Sequence, residues 1–258
     1  LFRDSEHISA AYGLALTITM ITTTILLGIY LWHRSNKFGA VVYAISLKMV
    51  LELREIKVSE ITGAIIGSVV PPVTSLMREA IRKVTGQEAL VVNVDMNIGL
   101  EVLMDNPSSV GTDLIVGAVA GINRYPVPLI LIDMGTATTI CVVNENKQYI
   151  GGMILPGIGV SMNSLTSRTA QLPRISLDPP KRLIGKNTVE CMQSGALYGN
   201  ASCIDGMVDR IEEELGQKAT VVATGGLARK IIPLCRHQIE LDDELLLRGL
   251  WIIYKKNK

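Results

Sequence analysis

The stretch Leu129–Val143, LILIDMGTATTICVV, constrains the fold more than any other part of the chain. An apolar run ends on Asp133, a glycine- and hydroxyl-rich bend follows, and a second apolar run, Ile140–Val143, begins at once. Runs this short and this continuously apolar read as strands buried on both faces, so other elements must cover them above and below. The remaining chain offers such elements in alternation. Gly63–Val70 (GAIIGSVV) reads as a buried strand closed by Pro71-Pro72, Val73–Thr85 as an amphipathic helix ending at Gly86, and Ala89–Val94 as another buried strand. Alternation of this kind is the signature of an α/β fold with parallel strands.

Downstream the pattern continues. Gly99–Pro107 reads as loop and Ser109–Asn123 as a helix of small residues suited to close packing. Tyr149–Leu155 is a returning strand, and Pro156-Gly157 introduces a helix through Thr169. Asn187–Leu215 is a long helix, Ala219–Ala223 a strand, Leu227–Cys235 a helix and Asp242–Asn257 a closing helix. Composition agrees with buried sheets: hydrophobic residues make up 48% but aromatics only 4%, so aliphatic side chains must fill the core. A formal net charge of +1 gives no reason to expect a nucleic-acid partner. Cys141, Cys191, Cys203 and Cys235 are widely spaced and read as small core hydrophobes in a reducing compartment. His7, His33 and His237 do not cluster with them, so spacing suggests no zinc site.

Three constellations carry chemistry. In Asp133-Met134-Gly135-Thr136-Ala137-Thr138-Thr139 a carboxylate ends a strand, glycine admits close backbone approach to a phosphate, and threonines supply donors. The carboxylate can hold a cation that neutralises phosphate charge; the plain alternative is a hairpin whose threonines favour strands. Ala223-Thr224-Gly225-Gly226-Leu227-Ala228 is a strand-to-helix turn able to pack backbone on a flat base or ribose, or simply a tight loop. Gly111-Thr112-Asp113 opens a helix, where a carboxylate serves either as a dipole partner or as a general base.

Taken together and in order, these segments resemble the second lobe of the actin-like ATPase and sugar-kinase superfamily, a ribonuclease H-like two-lobed α/β fold. Within it, Gly67–Ser75, Asp105–Asp113, DMGTATT, Gly151–Gly157, Leu172–Leu177, Ile184–Gly195 and ATGGLA resemble type III pantothenate kinase, from about Ser46 to Lys258. The resemblance implies transfer of the ATP γ-phosphoryl group to the terminal hydroxyl of pantothenate, the first step of coenzyme A synthesis. It implies Asp113 as the base, and Gly111, Thr112, Asp113, Leu114, Met104 and Thr188 at the pantothenate pocket. It implies Gly135, Thr136, Thr138, Gly225 and Gly226 at ATP with Mg2+, and Asp133 at a monovalent cation, K+ or NH4+. A cytoplasmic homodimer is implied as well. The chain departs from the pattern at Leu114, where many members carry Arg, and at Met104, where a pocket Tyr often sits. No Asp-x-Gly-Asn-Thr phosphate loop occurs in residues 1–60, although the family begins with one. The expectation is therefore an incomplete first lobe over 46–128, a complete second lobe over 129–258, and impaired catalysis. The alternatives are a non-catalytic binder of nucleotide or pantothenate, or a transporter fragment fused to a kinase remnant.

The first 45 residues read differently. From Ile8 to Trp32 no charged residue occurs, and a bilayer-spanning helix needs about 20 such positions. Arg34 and Lys37 follow the run, which would place that end on the cytoplasmic side. A buried helix of a soluble domain is the other reading. This segment resembles a stretch of KUP-type potassium uptake permeases, which implies a chimera joined near Tyr43–Ser46 and membrane association through residues 8–32.

Overall fold

The computed structural model describes residues 36–258 except residue 69. The apolar run Ile8–Trp32 therefore lies outside the described residues, and among those described no helix is long and apolar enough to cross a membrane. The chain divides into two compact units between Val92 and Asn93.

In the first unit, helix α1 (Asn36–Leu53) packs against helix α2 (Pro71–Thr85), and strands β1 (Ala64–Ile66) and β2 (Ala89–Val91) pair in parallel. Helix α1 runs without a break through Tyr43–Ser46. Pro71 and Pro72 occupy the first turn of α2, where a missing N–H costs nothing because it has no intrahelical acceptor. Gly86 ends the helix at φ +71°, its N–H returning to the Arg82 carbonyl at 3.0 Å.

The second unit is built on a six-stranded mixed sheet in the order β3-β6-β5-β4-β7-β8. Its strands are β3 (Glu101–Val102), β4 (Leu129–Met134), β5 (Ala137–Val143), β6 (Gln148–Pro156), β7 (Thr220–Thr224) and β8 (Glu240–Leu241). β4, β5 and β6 form an antiparallel meander, while β7 pairs in parallel with both β4 and β8. The α/β fold is the one the sequence implies; the antiparallel meander makes the sheet mixed rather than parallel throughout.

Period-2 alternation divides the central strands between two faces. Ile130, Ile132, Met134, Ile140 and Val142 join one core with helix α5 (Thr188–Leu215), whose Ala196, Leu197, Ala201, Ile204, Val208 and Ile211 recur at helical spacing. Two shorter helices, α4 (Ile158–Ser167) and α6 (Ala228–Ile231), contribute Ile158, Ala228 and Ile231 to the same core. On the other face lies helix α3 (Thr112–Arg124), in turn packed against helix α7 (Leu245–Lys256). A Cβ on Gly249 would come within 2.0 Å of the Val116 carbonyl oxygen, so only glycine lets α7 approach α3 this closely.

Candidate functional site

β4 and β7 run parallel, with Asp133 opposite Thr224, so the bends that follow them leave the same end of the sheet. β5 begins and β6 ends there too, with Ala137 opposite Pro156. The bends are in contact. Gly225 has φ +97°, and a Cβ on it would lie 2.6 Å from both the Asp133 Oδ1 and the Met134 backbone nitrogen. Leu227 donates its N–H to the Met134 carbonyl at 3.4 Å. Gly226 faces open space, with nothing within 4 Å of its Cβ position. A third glycine closes the group: Gly157 donates to the Thr136 carbonyl at 3.1 Å and has no room for a Cβ beside Thr136 and Gly135.

Helix α3 brings Asp113 to this end. Gly121 lies over Leu129 and Leu131, near the start of β4. The helix therefore runs antiparallel to the strand and presents its first turn near Asp133. Gly111 is the N-cap, and Thr112 and Asp113 begin the helix. Asp113 is exposed, and its Oδ1 accepts the Leu114 N–H at 3.0 Å.

Electrostatics tie the two carboxylates together. Burial raises the Asp133 carboxyl above the ordinary carboxylate range, and the charge of Asp113 adds to it. Cys141 shares the Asp133 face, one alternation further along β5, and its thiol is pushed up to about 12 by burial, then by Asp133 and Asp113. The Tyr149 phenol is raised by burial, then by Cys141 and Asp113. Among the described residues no basic side chain forms an ion pair with Asp133 or Asp113. Among the described residues two buried hydroxyls, Thr112 Oγ1 and Thr138 Oγ1, have no hydrogen-bond partner, and Thr138 is only 5% exposed.

The structure thus gathers Asp113, Thr112, Asp133, Gly135, Thr136, Thr138, Gly225 and Gly226 around one end of one sheet. The remaining expected residues are more peripheral. Met104 follows β3 with its Sδ 3.7 Å from the Cβ position of Gly151 on β6, and Leu114 is half-buried in the first turn of α3. Thr188 is exposed in the first turn of α5, and no hydrogen bond among the described residues joins it to Asp113. Cys141 and Tyr149 were not foreseen here, since strand register rather than a motif brings them in; Cys191, expected in the core, is exposed.

Comparison with known proteins gives a consistent family. The profile described as Type III pantothenate kinase matches residues 16–210. A type III pantothenate kinase of Bacillus cytotoxicus is 44% identical over 215 residues, covering 83% of this chain and 82% of that protein. The profile match starts at residue 16, inside the segment likened to a permease, so the permease resemblance and a junction near Tyr43–Ser46 find no support. Among solved structures, a Baf-family transcriptional activator of Campylobacter jejuni is 21% identical with TM-score 0.44, over 66% of this chain and 81% of that one. An activator of 2-hydroxyisocaproyl-CoA dehydratase from Clostridium difficile, with bound ADPNP, is 14% identical with TM-score 0.39, over 72% and 81%.

Proposed function

The chain belongs to the type III pantothenate kinase family, and from that premise we propose that it transfers the γ-phosphoryl group of ATP to the terminal hydroxyl of pantothenate. The observation that carries this reading is the contact between the Asp133–Thr139 bend and the Gly225-Gly226 bend, with the first turn of α3 beside them. Phosphoryl transfer asks a protein chiefly for positioning and charge neutralisation. The N–H groups of the exposed Gly135 and Thr136, with the Thr136 hydroxyl, suit phosphate oxygens, whereas the Thr138 hydroxyl is buried and would have to turn outward to join them. Gly225 packs tightly on Asp133 while Gly226 stands open, which suits a backbone surface laid against adenosine.

Asp113 is the base in this reading. Exposed at a helix N-terminus, it accepts the proton of the pantothenate hydroxyl as that oxygen attacks phosphorus. Gly111, Thr112, Leu114, Met104 and Thr188 complete the pantothenate pocket. A kinase of this family uses ATP with a divalent metal, and two carboxylates that share repulsion without a basic partner are a fitting donor set for a cation. Asp133 is the residue that would hold one, including the monovalent K+ or NH4+, and a bound cation supplies neutralisation of phosphate charge.

One sequence feature bears on rate. Residues 1–60 contain no Asp-x-Gly-Asn-Thr, so only the grip from the second unit is recognisable in this chain. The 258-residue chain is expected to bind ATP and pantothenate and to turn over slowly. Calorimetric titration with each ligand, beside an assay for phosphopantothenate, tests this. Asp113→Asn is expected to lower kcat by about a hundredfold or more while leaving ATP affinity in place. A chain that binds neither ligand sinks the reading.

A further inference from the structure

At the other end of the sheet, three side chains with metal-ligand chemistry converge: Asp209 and Glu212 of α5 and His237 of the loop before β8. Their donor atoms all lie within 4.8 Å of one another, and His237 Nε2 is 2.9 Å from Asp209 Oδ1. Glu212 is 8% exposed, an unusual place for a carboxylate, and its charge is met by the Lys218 ammonium at 2.6 Å and the Ala219 N–H at 3.0 Å. The Lys218 side chain is 84% exposed, so the cation on this buried carboxylate is one that can leave at little cost. Glu213 and Gln217 line an open cavity of about 360 Å³ beside Asp209 and Glu212.

The loop that carries the imidazole is held in advance. Asp205 accepts the backbone N–H groups of Arg236 and His237 at 2.9 and 3.1 Å, which fixes the loop to α5. Asp205, Asp209 and Glu212 recur at i, i+4 and i+7, so one helical stripe supplies both the anchor and two of the donors. We propose that Asp209, Glu212 and His237 form a binding site for a divalent cation of the zinc type, with water as the fourth ligand. One imidazole and two carboxylates suit such an ion better than calcium or magnesium, which prefer all-oxygen sites. Bond lengths of about 2.0–2.2 Å set donor atoms roughly 3.4 Å apart around a tetrahedral ion, a spacing these groups reach by small rotations. Binding replaces the His237 Nε2–H···Asp209 hydrogen bond: the Nε2 proton leaves to solvent or moves to Nδ1, the freed Nε2 lone pair takes the ion, and the Lys218 ammonium is displaced from Glu212 into solvent. The ion would clamp the loop before β8 to α5. Five residues of β7, about 16 Å, separate this cluster from the Gly225-Gly226 bend, so the site is distinct from the phosphate turns.

The test is calorimetric titration of the 258-residue chain with zinc chloride in chelator-free buffer. One saturable site per chain is expected, unchanged by Cys191→Ser. His237→Ala and Asp209→Asn should each weaken it at least about tenfold. Lys218→Met should tighten it severalfold, because the competing ammonium is gone; a merely structural ion-pair cluster gives no such gain. Asp209 is 59% exposed, so its asparagine variant keeps the test decisive if His237→Ala does not fold. No saturable binding of zinc below about 100 μM, or a site that survives both His237→Ala and Asp209→Asn, overturns the proposal.

Discussion

Asp133 sits where its charge is costly, and the cost has a sign. Burial, then the Asp113 charge, raises its carboxyl above the unfolded value. Between those two values the folded chain binds more protons than the unfolded one, so stability falls as pH rises through the interval. The penalty is fully present at neutral pH. Asp133→Asn removes it, and the melting temperature at pH 7.5 should rise by about 2–4 °C for each kcal/mol relieved. The gain should vanish near pH 3, where the wild-type carboxyl is protonated in both states, and phosphorylation should be lost throughout. Scanning calorimetry at the two pH values checks this; a lower neutral melting temperature would show that Asp133 is compensated after all. Gly225 carries the opposite constraint. At φ +97°, with Asp133 Oδ1 and the Met134 nitrogen 2.6 Å from its Cβ position, Gly225→Ala must part the two bends. A stability loss of about 1–3 kcal/mol and weakened ATP binding are expected, read by urea unfolding and titration. The sequence reveals that these residues matter, because Asp133–Thr139 and Thr224-Gly225-Gly226 are each contiguous. Cys141 and Tyr149 stay hidden because pairing across β5 and β6 brings them in.

Elements set the position of the base. Helix α3 carries Asp113 at one end, and its other end is tied to the start of α7 through Asp242, which is only 6% exposed. Asp242 accepts the Tyr125 hydroxyl at 2.9 Å and Arg248 Nη1 at 3.3 Å, pairs with Arg124 at 3.5 Å, and accepts the Glu244 N–H at 3.1 Å. Asp242→Asn keeps the shape but removes the charge that both arginines meet. It should cost about 1–3 kcal/mol, since the arginines remain partly solvated. Because α3 then shifts as a rigid element, kcat should fall more than the ATP KM rises; steady-state kinetics beside urea unfolding separate the two effects. Much of this framework is legible in the sequence. The three strands of the meander and α5 fall within a few residues of their expected spans, since long apolar periodicity dominates there. The two-residue strands β3 and β8 are not legible, because so short a segment has no period. Leu227–Cys235, expected as one helix, breaks into α6 and a 3-10 turn containing Pro233, which has no N–H to continue the helical ladder.

At the scale of the molecule, every group assigned to nucleotide or to the base belongs to the second unit, Asn93–Lys258. Among the described residues the first unit offers β1 and β2, paired in parallel. Ligand that binds only the folded form stabilises whatever it touches, by about 2.7 kcal/mol at a hundredfold excess over Kd. In hydrogen exchange with saturating ATP and Mg2+, slowing should therefore concentrate in residues 111–115, 133–139 and 224–228. The amides of β1, β2 and α2 should exchange as they do without ligand, because none of the groups assigned to ligand lies among them. Slowing in the first unit equal to that in the second would mean that its backbone contributes a phosphate contact with no motif to announce it. The expectation of slow turnover would then fail, while the assignment of the two bends would stand.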